Sequence, residues 1–328
     1  MLEGVSSGYQ LWWHAFTGKD AEDGTIRDFF IEFHLLNPED RREKPVFGTG
    51  QVRKVGGRKT AQKQKPSYLM VKAGSWGSGA AQMNRFWGFN KTEMELGRPF
   101  SISAGDCYLD LTGTHGSVGI SEEEVSVHRE WMTDAGTMAW SLIMERKDAC
   151  PSGWARTSYE GVVDFGGRRY IVEPSACNGT SGCVWGGGFT LPVLRLGTSC
   201  IKGGGIGNGA MQASLDNGFS ATIWLDGRRM DFDGAGPFRS VKVDCREAKK
   251  IVIWHIEQRS IRGRLVIDIT CSKKDMLLLT HEAPDGSKMP PRLWSGGNGR
   301  GKMEFKRAGK TLWSVRTDGV RCLWSGKK

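Results

Sequence analysis

Residues 160–174 read EGVVDFGGRRYIVEP. Two strand-forming runs flank Gly166-Gly167, and a glycine pair between such runs marks a tight two-residue hairpin turn. The pattern returns at 220–233, SATIWLDGRRMDFD, where Asp226-Gly227 takes the turn and Arg-Arg again opens the return strand. Two more hairpins follow: KKIVIWHIEQRSIRGRLVIDITCS (249–272) reverses near Arg262-Gly263, and GKMEFKRAGKTLWSVRT (301–317) reverses near Gly309. Successive hairpins of this length predict antiparallel meanders that close into barrels, an all-β fold. The 46 glycines against 11 prolines suit many tight turns.

Earlier in the chain the alternation is equally plain. In DFFIEFHLL (28–36), Phe29, Ile31, Phe33 and Leu35 share one face, and Phe30, Glu32, His34 and Leu36 share the other. Helical signals are confined to NPEDRREK (37–44) and SEEEVSVHREWM (121–132), each long enough for a turn or two. A length of 328 residues favours two domains or one large duplicated unit. KDACPSGW (147–154) interrupts the strand signals with Pro151 and Gly153, which puts an expected boundary near residue 150 and gives halves of 1–150 and 151–328.

The net charge of +10 favours anionic partners, and the excess is local. Between Arg41 and Lys72 lie ten Lys or Arg and one acid, Glu43, an expected long loop or ragged hairpin suited to peripheral contact with an anionic membrane. That stretch has few interleaved aromatics, and no nucleic-acid-binding module is present, so nucleic acid is not an expected partner. The eight cysteines are scattered without metal-ligand spacing, which predicts free thiols and no zinc site. The first residues lack a signal-peptide pattern and no apolar run reaches a spanning length, so the expected location is cytoplasmic. GIGNGA (205–210) fits a dinucleotide fingerprint only superficially, because turn and strand signals follow where a helix is needed. No cofactor is expected.

Two features point to chemistry. Glu32 and His34 lie two residues apart on one strand face, pointing the same way among apolar neighbours. Inside a barrel they would share a low-dielectric space and one could act as a general acid; on an outer face they would be solvated. His255 and Glu257 form a similar pair, with Trp254 and Ile256 on the opposite face. The thirteen tryptophans, among them Trp12, Trp13, Trp76, Trp87, Trp185 and Trp254, suit either core packing or a pocket whose indole faces stabilise cationic character.

The order of GYQLWWHAF (8–16), KPSYLMVKAGSWG (65–77), TSYEGVVDFGGRRYIVEP (157–174), WGGGFTLP (185–192), IVIWHIE (251–257) and PPRLWSGGNGRG (290–301) resembles the tocopherol cyclase-like family. That family is related to carotenoid hydratases and to lipocalin-like cyclases of natural-product pathways. The resemblance implies two lipocalin-like (calycin) antiparallel β-barrels packed together around an apolar pocket near a barrel mouth. It also implies cofactor-independent cyclase or hydratase chemistry on a lipophilic isoprenoid or polyene substrate, by alkene protonation or substrate folding. On this reading Glu32 is the candidate acid and His34 its partner. Trp12, Trp13, Tyr68, Lys72, Trp185 and Trp254 are carried over as substrate-binding residues, and Trp76 joins them. Relatives carry Asp-Lys-Asn just before the Trp-Gly pair, where this chain has Gly182, Cys183 and Val184, and another Trp where it has Val193. Those departures keep two alternatives open: a non-catalytic lipocalin-like binder of a hydrophobic ligand, and barrels filled by their own side chains.

Overall fold

The computed structural model describes residues 8–48, 52–55, 58–61, 65–97, 99–119, 136–147, 154–186, 193–203, 209–215, 218–279, 286 and 293–325. Side chains over 51–64 and the expected helical stretch 121–132 lie outside the described residues. The first strands are β1 (Tyr9–Asp20), β2 (Ile26–Leu36), β3 (Val52–Val55), β4 (Arg58–Ala61), β5 (Tyr68–Trp76), β6 (Ala81–Trp87) and β7 (Thr92–Leu96). They are followed by β8 (Phe100–Ala104), β9 (Cys107–Asp110), β10 (Gly113–Val118), β11 (Met138–Lys147), β12 (Ala155–Phe165), β13 (Arg168–Val172) and β14 (Thr180–Gly186). Then come β15 (Val193–Thr198), β16 (Ile201–Lys202), β17 (Gly209–Ser214), β18 (Ser220–Leu225), β19 (Arg228–Asp233) and β20 (Ser240–Glu247). The last are β21 (Ile251–Ser260), β22 (Gly263–Ser272), β23 (Met276–Leu279), β24 (Leu293–Arg307) and β25 (Lys310–Ser325).

These strands make two large antiparallel sheets and one small hairpin. The first sheet runs β6-β5-β2-β1-β13-β12-β11-β10-β9-β8-β7, with β14 beside β1 and β12. The second runs β19-β18-β17-β15-β25-β24-β22-β21-β20, with β16 on β25 and β23 on β24. β3 and β4 pair only with each other, which is the hairpin expected within 41–72. Each large sheet curls on itself. In the first, Arg85 of β6 reaches across to Asp106 in the β8–β9 turn and to the Ser117 carbonyl of β10 at 3.4 Å, so opposite ends of the strand order meet. The all-β architecture of curled antiparallel sheets is the one the hairpin pattern predicts, and it is consistent with the two packed lipocalin-like domains that the resemblance implies.

Local chemistry explains the turns. Gly166 and Gly167 (φ 58° and 78°), Asp226 and Gly227 (φ 49° and 78°), and Ala308 and Gly309 (φ 48° and 79°) occupy the two left-handed positions that a type I′ hairpin turn requires. Stretch 37–44 forms turns rather than helix. Asn37 takes a left-handed conformation (φ 47°), accepts a hydrogen bond from the Gly8 amide at 2.9 Å and donates to the Pro66 carbonyl at 2.7 Å.

Large apolar side chains fill each curl. Phe16, Phe29, Ile31, Phe33, Val71, Met83, Ile102 and Tyr159 are buried in the first core; Leu196, Ile223, Trp254, Ile256, Ile267, Met303 and Val315 are buried in the second. A third cluster joins Ala15, Phe30 and Trp76 of the first sheet to Leu277, Leu279 and Leu293 of the second, and so holds the two sheets together. Burial of each such side chain contributes roughly 1.5–3 kcal/mol.

The division between the sheets differs from the expected boundary at residue 150. Lys147 pairs with Arg156 across β11 and β12, so the strands on both sides of residue 150 are neighbours in one sheet. β12, β13 and β14 belong to the first sheet, and the changeover falls between Gly186 and Val193.

Candidate functional site between the two sheets

The first row of the site is written across hydrogen-bonded strands. Gly182 of β14 pairs with Trp13 of β1, Trp13 with Glu32 of β2, and Glu32 with Lys72 of β5. Because alternate residues share a face, Phe30 and Asp28 continue that face along β2, and Trp76 stands across from Asp28 on β5. This face turns away from the first core and toward the second sheet. There, Val320, Cys322 and Trp324 of β25 point into the second core, which leaves Arg321 and Leu323 facing the first sheet.

A cavity of about 400 Å³ lies between the two faces. Trp13, Phe30, Trp76, Trp154, Trp185 and Leu323 give it apolar walls, and Glu32, His14, Arg195, Arg321, Gln212 and Ser295 add polar groups. The volume falls within the range of small-molecule sites. Trp76 Nε1 donates to Ser295 Oγ at 3.2 Å, which bridges the sheets. Trp154 stacks on Trp224, with ring centroids 5.3 Å apart, and its indole lies over Gly197. Trp13 lies flat on Gly182, where a Cβ would come within 2.7 Å of the indole ring.

Glu32 is the centre of a buried charged trio. Its Oε2 lies 2.5 Å from Lys72 Nζ and 2.7 Å from His34 Nε2. Burial alone would raise its pKa, but Lys72 and the hydrogen bond from His34 outweigh it and hold the carboxyl well below the usual carboxylate range. His34 is lowered to about 4, by burial and then by the Lys72 charge. Burial also lowers Lys72, opposed by Glu32. These shifts favour a carboxylate at Glu32 and a neutral imidazole at His34, with Lys72 Nζ set directly against the carboxylate. A carboxyl held this low is better suited to accept a proton than to give one, so the geometry favours a role for Glu32 as anion and proton acceptor over the general acid the sequence suggests.

His14 borders the cavity from behind: it shares the face of Trp12 and Phe16, and its ring packs against Tyr159 of the first core. His14 Nδ1 lies 2.9 Å from Tyr159 Oη, which also lies 3.2 Å from the Thr180 carbonyl, so the ring and the hydroxyl share a hydrogen bond. His14 Nε2 has no hydrogen-bond partner among the described residues. Burial, and then Arg146, lower His14 to about 3, which keeps it neutral. On the same face of β2, burial raises Asp28 to about 6 against the opposing charge of Arg321, whose Nη2 lies 3.7 Å from Asp28 Oδ1.

The expected substrate residues divide. Trp13, Trp76 and Trp185 line the cavity, and Lys72 stands behind Glu32. Trp12 points the other way, into the first core against Phe100, because adjacent residues of a strand take opposite faces. Tyr68 packs with Phe47 and Phe86 away from the cavity, and Trp254 is fully buried in the second core. His255 bonds Asp268 at 2.6 Å and Glu257 pairs with Arg259 and Arg264 on the outer face of the second sheet, so that pair is a surface arrangement. Gly182, Cys183 and Val184, where the resemblance expects polar residues, stand on the cavity wall itself. Among the described residues no group of His, Cys, Asp and Glu has a metal-binding arrangement, and no helix is long and apolar enough to cross a membrane.

No protein-family model matches the chain, and no curated protein matches it. Solved structures do. An AttH protein of Nitrosomonas europaea superposes with a TM-score of 0.51 over 98% of this chain and 94% of that one, at 9% identity. Kievitone hydratase of Nectria haematococca gives a TM-score of 0.42 over 96% of this chain and 89% of that one, at 10% identity. At these identities the first likeness establishes the shared fold and nothing of activity, and the second carries no argument. The tocopherol cyclase-like family therefore stays a resemblance of motifs.

Proposed function

We propose that the chain binds a lipophilic small molecule in the cleft between its two sheets and acts on it as a cofactor-independent cyclase or hydratase. One observation carries this reading: the Glu32 carboxyl is fixed by Lys72 and His34 in the wall of a tryptophan-lined cavity. Taking charges out of water is costly, and such arrangements cluster at functional sites. In addition across an alkene, a proton joins one carbon, an oxygen nucleophile joins the resulting cation, and the nucleophile gives up a proton. Glu32 is suited to the last two events, because its charge and the indole faces stabilise the cation and its free lone pairs accept the proton. Asp28, raised to about 6 by burial, stands four residues from Glu32 along β2, about 13 Å away, too far to give the first proton to the same double bond, so that proton comes from another donor. Ring closure onto a hydroxyl of the substrate follows the same accounting, with that hydroxyl in place of water.

The absence of a polar side chain at Gly182 and Val184 favours a second reading, a binder that returns its ligand unchanged. One incubation separates the two. A panel of prenylated quinols and polyenes is mixed with the protein, binding is followed by tryptophan fluorescence, and products by chromatography with mass spectrometry. The enzyme reading expects quenching together with a cyclised or hydrated product, and a Glu32→Gln variant that still quenches but forms none. Turnover at the wild-type rate in Glu32→Gln would remove Glu32 from the mechanism; quenching without product would establish the binder.

A further inference from the structure

Arg321 is the cavity residue whose bonding is least complete. Its side chain is 8% exposed, Nη1 makes one long hydrogen bond to the Gly319 carbonyl at 3.4 Å, and Nε and Nη2 make none among the described residues. Asp28 Oδ1, 3.7 Å from Nη2, is beyond hydrogen-bond distance and is itself unbonded. Nε and Nη2 form one edge of the guanidinium, and their two N–H groups point in parallel. That edge matches the two oxygens of a carboxylate. A buried guanidinium with its donors unfilled is costly, and a bound anion in the adjoining cavity removes the cost. Across the strand from Arg321 stands Gly197 on β15, which has no side chain of its own and is covered by the Trp154 indole, part of the cavity's apolar wall.

Resting on the cleft reading above, we infer that the ligand is a lipophilic carboxylic acid, its carboxylate held side-on by Nε and Nη2 of Arg321 and its apolar body laid along the tryptophan wall toward Glu32. The dimensions agree. Asp28, beside Arg321, and Glu32 are four residues apart on β2, about 13 Å at 3.3 Å per residue. A head group at Arg321 therefore leaves Glu32 to face the middle of a chain or a distant ring. Glu32 repels a carboxylate from its own end of the cavity and so sets the direction of entry. A planar two-oxygen head suits the edge better than a neutral hydroxyl, which fills one donor and leaves the other bare.

The test uses matched probes: 11-dansylaminoundecanoic acid and its N-methylamide, titrated into the purified full chain and followed by dansyl emission. The acid is expected to bind at least tenfold more tightly than the amide. Arg321→Gln is expected to abolish that preference while leaving amide binding unchanged. Asp28→Asn, which removes the competing carboxylate, is expected to raise the affinity for the acid several-fold; this variant and the wild-type comparison decide the question even if Arg321→Gln fails to fold. Equal binding of acid and amide by wild type, or weakening of the acid by Asp28→Asn, overturns the inference. So does a preference abolished by Arg195→Gln and untouched by Arg321→Gln. If neither probe binds, the cleft reading itself falls.

Discussion

Lys72 and Glu32 face each other with 2.5 Å between charged atoms, and Lys72 is 1% exposed. At an effective dielectric of about 20 their attraction is about 7 kcal/mol, and it is offset by the desolvation of both groups. Lys72→Met removes the attraction and leaves Glu32 buried. The carboxyl can escape by taking a proton, which at pH 7 costs about 1.36 kcal/mol for each unit between 7 and its ordinary 4.3, or about 3.7 kcal/mol. Glu32→Gln strands Lys72, which escapes by losing a proton at a cost of at most about 4.6 kcal/mol on the same scale, and the glutamine oxygen still accepts from His34. The double variant Glu32→Gln/Lys72→Met strands nothing and is expected to fall within about 2 kcal/mol of wild type. Urea unfolding followed by tryptophan emission, with a common m-value, measures all four proteins. The expected coupling energy is at least about 3 kcal/mol. The deficit of Lys72→Met alone should shrink as pH falls from 7 to 5, since a carboxyl with a raised pKa in the folded state gains stability with acid. Single-variant losses that simply add in the double variant, or a Lys72→Met deficit indifferent to pH, would refute the buried ion pair.

Other outcomes follow from the same geometry. Between pH 6.5 and 4.5, His14 (lowered to about 3) and His34 (lowered to about 4) stay neutral in the fold while the unfolded chain protonates them, so wild-type stability falls as pH falls. Asp28, raised to about 6, works in the opposite direction, so a His14→Gln/His34→Gln variant should lose this acid sensitivity or reverse it in thermal melts across that window. Gly182→Val drives a side chain into the Trp13 ring and should push the indole into the cavity, weakening dansyl-probe binding at least tenfold for a stability cost of about 1–3 kcal/mol. Trp254→Ala should do the reverse, costing about 3–5 kcal/mol in unfolding while leaving probe affinity intact, because this ring belongs to the second core.

The contrast between Trp13 and Trp254 shows what a sequence reading can reach. Hairpins are readable because a two-residue turn with left-handed φ admits few residues, and the demand is local: Gly166-Gly167, Asp226-Gly227 and Gly309 all stand where they are needed. Faces are readable because the strand period is two, which also dictates that Trp12 and Trp13 cannot both line one pocket. What covers a face is not local. Glu32 meets Lys72 through pairing across the segment 37–67, and Arg321 meets Asp28 across two sheets, so neither pairing has a signature within its own strand. Asp28 opens an apolar run and Arg321 interrupts one, and those interruptions were the available signal for residues that the sequence reading passed over. Pro151 and Gly153 gave the boundary its signal, and that composition is shared by linkers and by connections between paired strands, so it does not tell one from the other.

The location of the cavity follows from how the cores are filled. Phe29, Ile31 and Phe33 occupy the first curl and Trp254, Ile256 and Ile267 the second, so the strand faces available for a ligand are the outward ones. An outward strand face ordinarily meets water and tolerates charge, which is where Asp28, Glu32, Lys72 and Arg321 stand. Docking one sheet on the other through Phe30, Trp76, Leu279 and Leu293 takes those charges out of water together. Lys72 and Glu32 answer by pairing across β2 and β5, but Arg321 and Asp28, on different sheets, stay 3.7 Å apart. The pair within one sheet is set by backbone register and closes. The pair between sheets is set by how the faces dock, and it leaves an open guanidinium edge at the place where a ligand can complete it.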